Sequence, residues 1–184
     1  MPINKFIANA SGSLDNKLSI IETAFNNAKS AAVQHLGANL IDIIFVDSPN
    51  SVIKELGVGG YTATPNLIYI SMDPKAKVKT IDLQSCLLHE IHHAMRMRKE
   101  GFGNNLREVL ITEGLATLFE EKITGITPIY AKVKYSRKAE EQAVKEFKNP
   151  NFSYNDWFIS GNKDKGIPKW FGYSYGYKLV KTLR

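Results

Sequence analysis

Apolar positions in the first third of the chain follow two different periods. Between Leu14 and Gly37 they recur every three or four residues, which predicts an α-helix that ends at the glycine. The segment LIDIIFVD (residues 40–47) is rich in β-branched residues and predicts a strand. A second strand is predicted at LIYISMD (residues 67–73). Between the strands, residues 52–66 are predicted as a short helix or turn followed by a glycine-rich loop.

The rest of the chain has mainly helical periodicity. Four helices are predicted, over residues 80–100, 106–124, 134–148 and 171–183. The aperiodic, aromatic segment 149–170 is expected to be a loop with buried rings. A helical majority with a small N-terminal sheet indicates the α+β class, and without a repeat or linker we expect one domain over residues 1–184. The closing residues, KLVKTLR, have the pattern of a helix interior. Whether the natural protein continues beyond them is therefore an open question.

Composition limits the classes of protein to consider. No apolar run approaches the roughly 20 residues of a membrane-spanning helix, so no membrane span is expected. The N-terminus lacks the long apolar segment of a secretory signal. The single cysteine, Cys86, excludes an internal disulfide framework. We therefore expect a cytoplasmic protein.

The chain carries a net charge of +6, with basic clusters at residues 75–79, 96–99 and 132–138. Such clusters can attract nucleic acids or anionic membranes. However, 18 acidic residues are interspersed with the basic ones, and the sequence has no nucleic-acid-binding signature. We expect a solvated basic surface without a nucleic-acid partner, and a basic nucleic-acid-binding module is the weakest alternative.

Three of the four histidines lie in CLLHEIHHAM, residues 86–95. His89, Glu90 and His93 form the pattern H-E-x-x-H, and residues four apart share one face of a helix. Two imidazoles on one face can occupy two corners of a zinc tetrahedron, and Glu90, about 100° around the helix, can reach a water at the metal. His92 lies on the flank, where a structural or supporting role is expected. The opposite side is apolar, with Leu83, Leu87, Ile91, Ala94 and Met95.

An open catalytic zinc site needs a third protein ligand. The remaining histidine, His35, lies far upstream, so a carboxylate is the better candidate. Glu113, in LITEGLATLFEE, follows His93 by 20 residues on the next predicted helix. The short connection predicts that the two helices pack as neighbours, and Gly114 would let their backbones approach closely.

These motifs carry a resemblance to a known group of enzymes. H-E-x-x-H followed by E-G-L-A resembles the gluzincin metallopeptidases, the thermolysin-like group. The finer pattern is similar to a family of predicted zinc-dependent proteases long carried as a domain of unknown function. Its pieces are HEIHH (residues 89–93), EGLA (residues 113–116) and GYSYGY (residues 172–177), and the resemblance covers about residues 60–180.

The resemblance implies a zincin-like metalloprotease domain with an H-E-x-x-H active-site helix. One Zn²⁺ per chain would be held by His89, His93 and Glu113, and Glu90 would be the catalytic acid and base. The substrate would be a peptide or protein. A catalytically silent zinc-binding interaction domain is the main alternative, although such a domain has no use for Glu90.

Two supporting roles stay open. Thermolysin-like enzymes have an aspartate one turn after the ligand glutamate, where it orients a ligand histidine, whereas this chain has Thr117. Glu120, Glu121 and His92 are the other candidates for that supporting role. The oxyanion formed during peptide hydrolysis also needs a hydrogen-bond donor. The candidates for that donor are Tyr173, Tyr177 and, more weakly, Tyr61.

The second predicted strand, LIYISMD, precedes the histidine helix. In zincins the cleft-edge strand occupies this position, and an extended peptide could pair with its free backbone groups. A strand that only completes the sheet is the equal alternative.

Overall fold

The computed structural model describes residues 2–182 and divides the chain into two compact units, one ending at Lys99 and the other starting at Glu100. The predicted α+β class is confirmed, with mainly helices and an N-terminal sheet. Whether the chain forms one domain stays a prediction. Residue 183 of the predicted last helix and the end of KLVKTLR lie outside the described residues. No helix within residues 2–182 is long and apolar enough to cross a membrane.

The first unit combines a four-stranded sheet with two long helices. The strands are β1 (Ile3–Ala8), β2 (Ile41–Asp47), β3 (Val58–Thr64) and β4 (Leu67–Met72), and the helices are α1 (Leu18–Leu36) and α2 (Thr80–Glu100). The strand order is β1-β2-β4-β3. Strands β1, β2 and β4 are parallel, and β3 runs antiparallel to β4.

Alternating burial gives this sheet an apolar face. On β2 the buried residues are Ile41, Ile43 and Phe45, and on β4 they are Ile68, Ile70 and Met72. The helical spacing predicts an apolar stripe of Leu18, Ile21, Phe25 and Ala28 on α1. Ile21, Phe25 and Ala28 are buried, whereas Leu18, the first residue of the helix, is 41% exposed. The helix ends where predicted, because Gly37 adopts the left-handed conformation with φ 62°.

The sequence analysis missed two strands. Residues 58–64, predicted as a glycine-rich loop, form β3, because pairing with β4 compensates for the low strand propensity of glycine. Strand β1 lacks an apolar alternation. Of the two equal alternatives for LIYISMD, the cleft-edge strand is wrong, because β4 lies between β2 and β3. The edge strands of the sheet are β1 and β3.

The second unit is helical. It contains α3 (Leu106–Thr124), α4 (Arg137–Glu146) and α5 (Phe171–Thr182), and residues Asn155–Ile159 form a single turn of π-helix. The side chain of Asn105 caps α3 by accepting from the Glu108 amide, and Gly125 ends the helix. The buried rings expected in the aromatic segment are found at Trp157 and Phe158, which pack with α3 and α5.

Helices α3 and α5 approach closely at two glycines. A Cβ on Gly114 would lie 2.3 Å from the carbonyl oxygen of Gly176, and a Cβ on Gly176 would lie 2.2 Å from that of Leu110. A close backbone approach at Gly114 is therefore found, with α5 as the partner. The E-G-L-A and G-Y-x-x-G-Y motifs meet at this crossing. That α2 and α3 pack as neighbours stays a prediction.

Candidate metal centre

Helix α2 holds the H-E-x-x-H residues in a buried position. His89, Glu90 and His93 are 6%, 7% and 4% exposed. The Nε2 atoms of the two histidines lie 2.8 Å apart, and the ring planes are nearly perpendicular. Both imidazoles therefore direct the same nitrogen to one point, as their spacing of four residues predicts.

This arrangement of the two imidazoles fits a cation. Two neutral Nε2 acceptors would repel each other at 2.8 Å unless a proton or a metal ion lay between them. In a tetrahedral zinc site with Zn–N distances of about 2.0–2.1 Å, two ligand nitrogens are about 3.3 Å apart. Small ring movements would make the pair a zinc chelate.

Glu113 is the third member of the group. It lies on α3 and is 1% exposed. One ligand atom from each of His89, His93 and Glu113 can be chosen so that all lie within 4.8 Å of one another. Two imidazole nitrogens with one carboxylate oxygen form a donor set of catalytic zinc sites. The three residues therefore fit a single zinc ion.

Glu90 is held by β3, the strand that the sequence analysis missed. The Thr62 hydroxyl lies 2.7 Å from Oε2 of Glu90 and 3.0 Å from its backbone oxygen. Gly60 allows the carboxylate to lie against the strand, because a Cβ there would be 2.4 Å from Cγ of Glu90. The edge strand β3 thus fixes the side chain of Glu90, which the motif predicts to be the base.

Residues 18–183 match the family described as "Predicted Zn-dependent protease (DUF2268)". The chain belongs to this family. The resemblance noted from HEIHH, EGLA and GYSYGY is thereby confirmed at the level of the family. A search of the curated proteins and a search of the solved structures each found no match.

The candidates for the supporting role occupy different positions within this family member. The Thr117 hydroxyl donates to the backbone oxygen of Glu113 over 2.8 Å. Glu120 is fully buried, and both its carboxylate oxygens lie within 2.7 Å of the Tyr130 hydroxyl. Glu121 accepts a hydrogen bond from Tyr177. Which residue orients a ligand histidine stays a prediction.

His92 is half-buried on α2, and its ring lies edge-on to that of His93 with centroids 6.5 Å apart. It lies outside the group of possible ligands, as its flanking position predicts. Its supporting role stays a prediction.

The three candidate oxyanion donors differ in their surroundings. The Tyr177 hydroxyl donates a hydrogen bond to the carboxylate of Glu121 and accepts one from the ammonium group of Lys181. Tyr61 is 66% exposed and alternates on β3 with Gly60 and Thr62, so its side chain lies on the face opposite Glu90. The Tyr173 hydroxyl lies 3.2 Å from that of Tyr154.

The structure adds Tyr154, which the sequence analysis missed. Its hydroxyl donates to Oε1 of Glu113 over 2.8 Å. Burial of the hydroxyl, followed by the negative charge of Glu113, raises the pKa of Tyr154 well above the usual tyrosine value. The hydroxyl therefore stays protonated at neutral pH. Tyr154 lies in the aperiodic aromatic segment, where no pattern distinguishes it from its neighbours.

Proposed function

We propose that the chain is a zinc-dependent peptidase of the gluzincin type. One zinc ion per chain would be held by His89, His93 and Glu113, with Glu90 as acid and base. The observation that carries the proposal is the grouping of these three ligand atoms within 4.8 Å. The family's description supports the same chemistry.

Bound zinc would lower the pKa of a water molecule and polarise the scissile carbonyl. Glu90 accepts a proton from the attacking water and transfers it to the nitrogen of the leaving amine. The Thr62 hydroxyl on Oε2 restrains the carboxylate during both transfers. A base held in one orientation loses less entropy when the substrate reacts.

The substrate is proposed to be a peptide or protein in an extended conformation. Strand β3 is an edge strand, so an extended chain can add to it through backbone hydrogen bonds. Gly60 brings this edge against Glu90, which supports a peptide bond lying beside the base. Backbone pairing of this kind is compatible with many different side chains on the substrate.

The first experiment separates metal binding from catalysis. Zinc per chain is measured by plasma mass spectrometry in protein purified without chelators. Wild type is expected to hold about one zinc ion, and Glu113→Ala is expected to lose most of it. The matched control is Glu141→Ala, which removes an exposed carboxylate from α4. Equal zinc in Glu113→Ala and wild type would contradict the ligand assignment.

Catalysis is then measured with a peptide library. Glu90→Gln is expected to retain zinc and to lose cleavage, because the amide cannot accept the proton. Cleavage by Glu90→Gln at the wild-type rate would contradict the role of Glu90. A zinc-loaded wild type that cleaves none of the peptides would favour the silent interaction domain.

A further inference from the structure

Tyr154 occupies a defined position in the second unit. Its ring stacks on that of Phe158, with centroids 4.6 Å apart and planes 19° apart, and Phe158 is fully buried. Tyr173 meets the same phenylalanine edge-on at 5.5 Å. Tyr154 also directly precedes the π-helical turn Asn155–Ile159. Packing against a buried ring therefore fixes where its hydroxyl can lie.

The directions of two hydrogen bonds follow from the donors available. An ionised carboxylate only accepts, so the Tyr154 hydroxyl must use its single proton on Glu113. The contact of 3.2 Å between the two tyrosine hydroxyls is then donated by Tyr173. The result is a chain from Tyr173 through Tyr154 to Glu113, in which each bond polarises the next.

We propose that Tyr154 is a positioning residue that holds the Glu113 carboxylate in its metal-binding orientation. The inference rests on the proposed function, because it takes Glu113 as a zinc ligand. A carboxylate offers about four acceptor positions, so the bond from Tyr154 leaves others for an ion. Thr117 does not hold the Glu113 carboxylate, since its hydroxyl donates to the backbone oxygen of Glu113.

The test compares Tyr154→Phe with Tyr173→Phe. Each variant loses one hydroxyl and keeps its ring, and Tyr154→Phe removes the hydroxyl that donates to Oε1 of Glu113. Zinc affinity is measured on metal-free protein by competition with a chelator. Partners of metal ligands typically contribute about 10–100-fold in affinity. We expect Tyr154→Phe to weaken zinc binding about tenfold, and Tyr173→Phe to weaken it much less.

A second readout separates positioning from packing. The absorption spectrum of bound Co²⁺ responds to the geometry of its ligands. We expect it to change in Tyr154→Phe and to match wild type in Tyr173→Phe. Metal-free Tyr154→Phe should still unfold in one cooperative transition, because the ring stack on Phe158 is kept, with a midpoint lowered only by the loss of one hydrogen bond to Glu113.

The Glu113→Ala variant distinguishes failure of the inference about Tyr154 from failure of the proposed zinc site. If Glu113→Ala weakens zinc binding while Tyr154→Phe leaves affinity and the Co²⁺ spectrum unchanged, the inference is overturned and the proposed function stands. If Glu113→Ala itself binds zinc like wild type, the ligand assignment fails and the inference fails with it. An equal loss of affinity in Tyr154→Phe and Tyr173→Phe would overturn the specific assignment to Tyr154.

Discussion

The hydroxyl of Thr62 lies 2.7 Å from the carboxylate of Glu90, and both side chains are more than nine-tenths buried. A buried polar group is costly unless a hydrogen bond satisfies it, so this contact satisfies one oxygen of Glu90 and orients the side chain inside the protein. Thr62 is β-branched, which restricts its own χ1 rotation. The edge strand β3 therefore contributes a rigid donor to Glu90, the proposed base on α2.

We predict that Thr62→Val lowers kcat by roughly tenfold or more. A hydrogen bond to a charged group contributes about 1.5–3 kcal/mol, and about 1.4 kcal/mol corresponds to a factor of ten in rate. Valine keeps the shape and branching of threonine, so zinc content should stay at the wild-type level. Steady-state kinetics on a cleaved peptide measure the effect. Thr62→Ser, which keeps the donor, should retain most activity. Wild-type kcat in the valine variant would show that the bond does not matter.

Gly60→Ala is predicted to displace the Glu90 carboxylate. The added Cβ would lie 2.4 Å from Cγ and 2.6 Å from Oε1 of Glu90, closer than such atoms can approach. We expect a loss of kcat larger than that of Thr62→Val, with zinc retained on the α2 histidines and Glu113. The kinetic assay and the metal measurement together check this.

Tyr61→Phe is the control for Gly60→Ala on the same strand. Its hydroxyl is on the exposed face of β3, so activity should be unchanged. A loss of activity in Tyr61→Phe would instead support Tyr61 as the oxyanion donor. Full activity in Gly60→Ala would show that Glu90 can work from another orientation.

The convergence of His89 and His93 could be predicted because it depends only on local geometry. Residues four apart on a helix share a face in any protein, and the apolar stripe of α2 marks it as a helix. Glu113 comes from another helix. Its place in the group was predicted from the need for a third ligand and from the short connection to the next predicted helix, and the resemblance that includes E-G-L-A implied the same residue.

Thr62 and Tyr154 could not be predicted, for different reasons. Strand β3 has adjacent glycines and lacks an apolar alternation, so its strand conformation depends on pairing with β4, which local sequence does not encode. Tyr154 belongs to an aperiodic segment whose position is fixed by packing on Phe158. Both residues were found through contacts between elements distant in sequence.

Glu121 gives a prediction for the pH dependence of stability. Burial raises its pKa, but hydrogen bonds from Thr127, Tyr177 and Lys181, together with the charge of Lys181, outweigh burial and lower it. A carboxyl with a lowered pKa in the folded state stabilises the protein above the pKa of the unfolded state. That contribution is lost as the pH falls through the folded-state value.

A comparison of wild type with Glu121→Gln tests the direction of this pH dependence. The difference in their free energies of unfolding should favour wild type at neutral pH and should shrink as the solution is acidified below the usual glutamate range. Chemical denaturation at a series of pH values measures it. Tyr177→Phe removes one of the three donors, so its own pH dependence should be weaker than that of wild type. A difference that grows in acid would contradict the lowered pKa.

The crossing of α3 and α5 gives the last prediction. A Cβ on Gly114 or Gly176 would meet a backbone oxygen of the facing helix at 2.3 Å or 2.2 Å, and backbone atoms cannot rotate away. Overpacking of this kind costs about 1–3 kcal/mol, whereas alanine gains about 0.5–1 kcal/mol over glycine inside a helix. We therefore expect Gly114→Ala and Gly176→Ala each to lower the free energy of unfolding.

The double variant decides whether both losses arise from one contact. If the helices move apart to admit the first methyl group, the second should cost less, so the double variant should lose less than the sum of the single losses. Urea denaturation with an unchanged m-value measures all three free energies. Stabilisation of each single variant by about 0.5–1 kcal/mol would mean that only helix propensity had changed, and that the two backbones are farther apart than the structure places them.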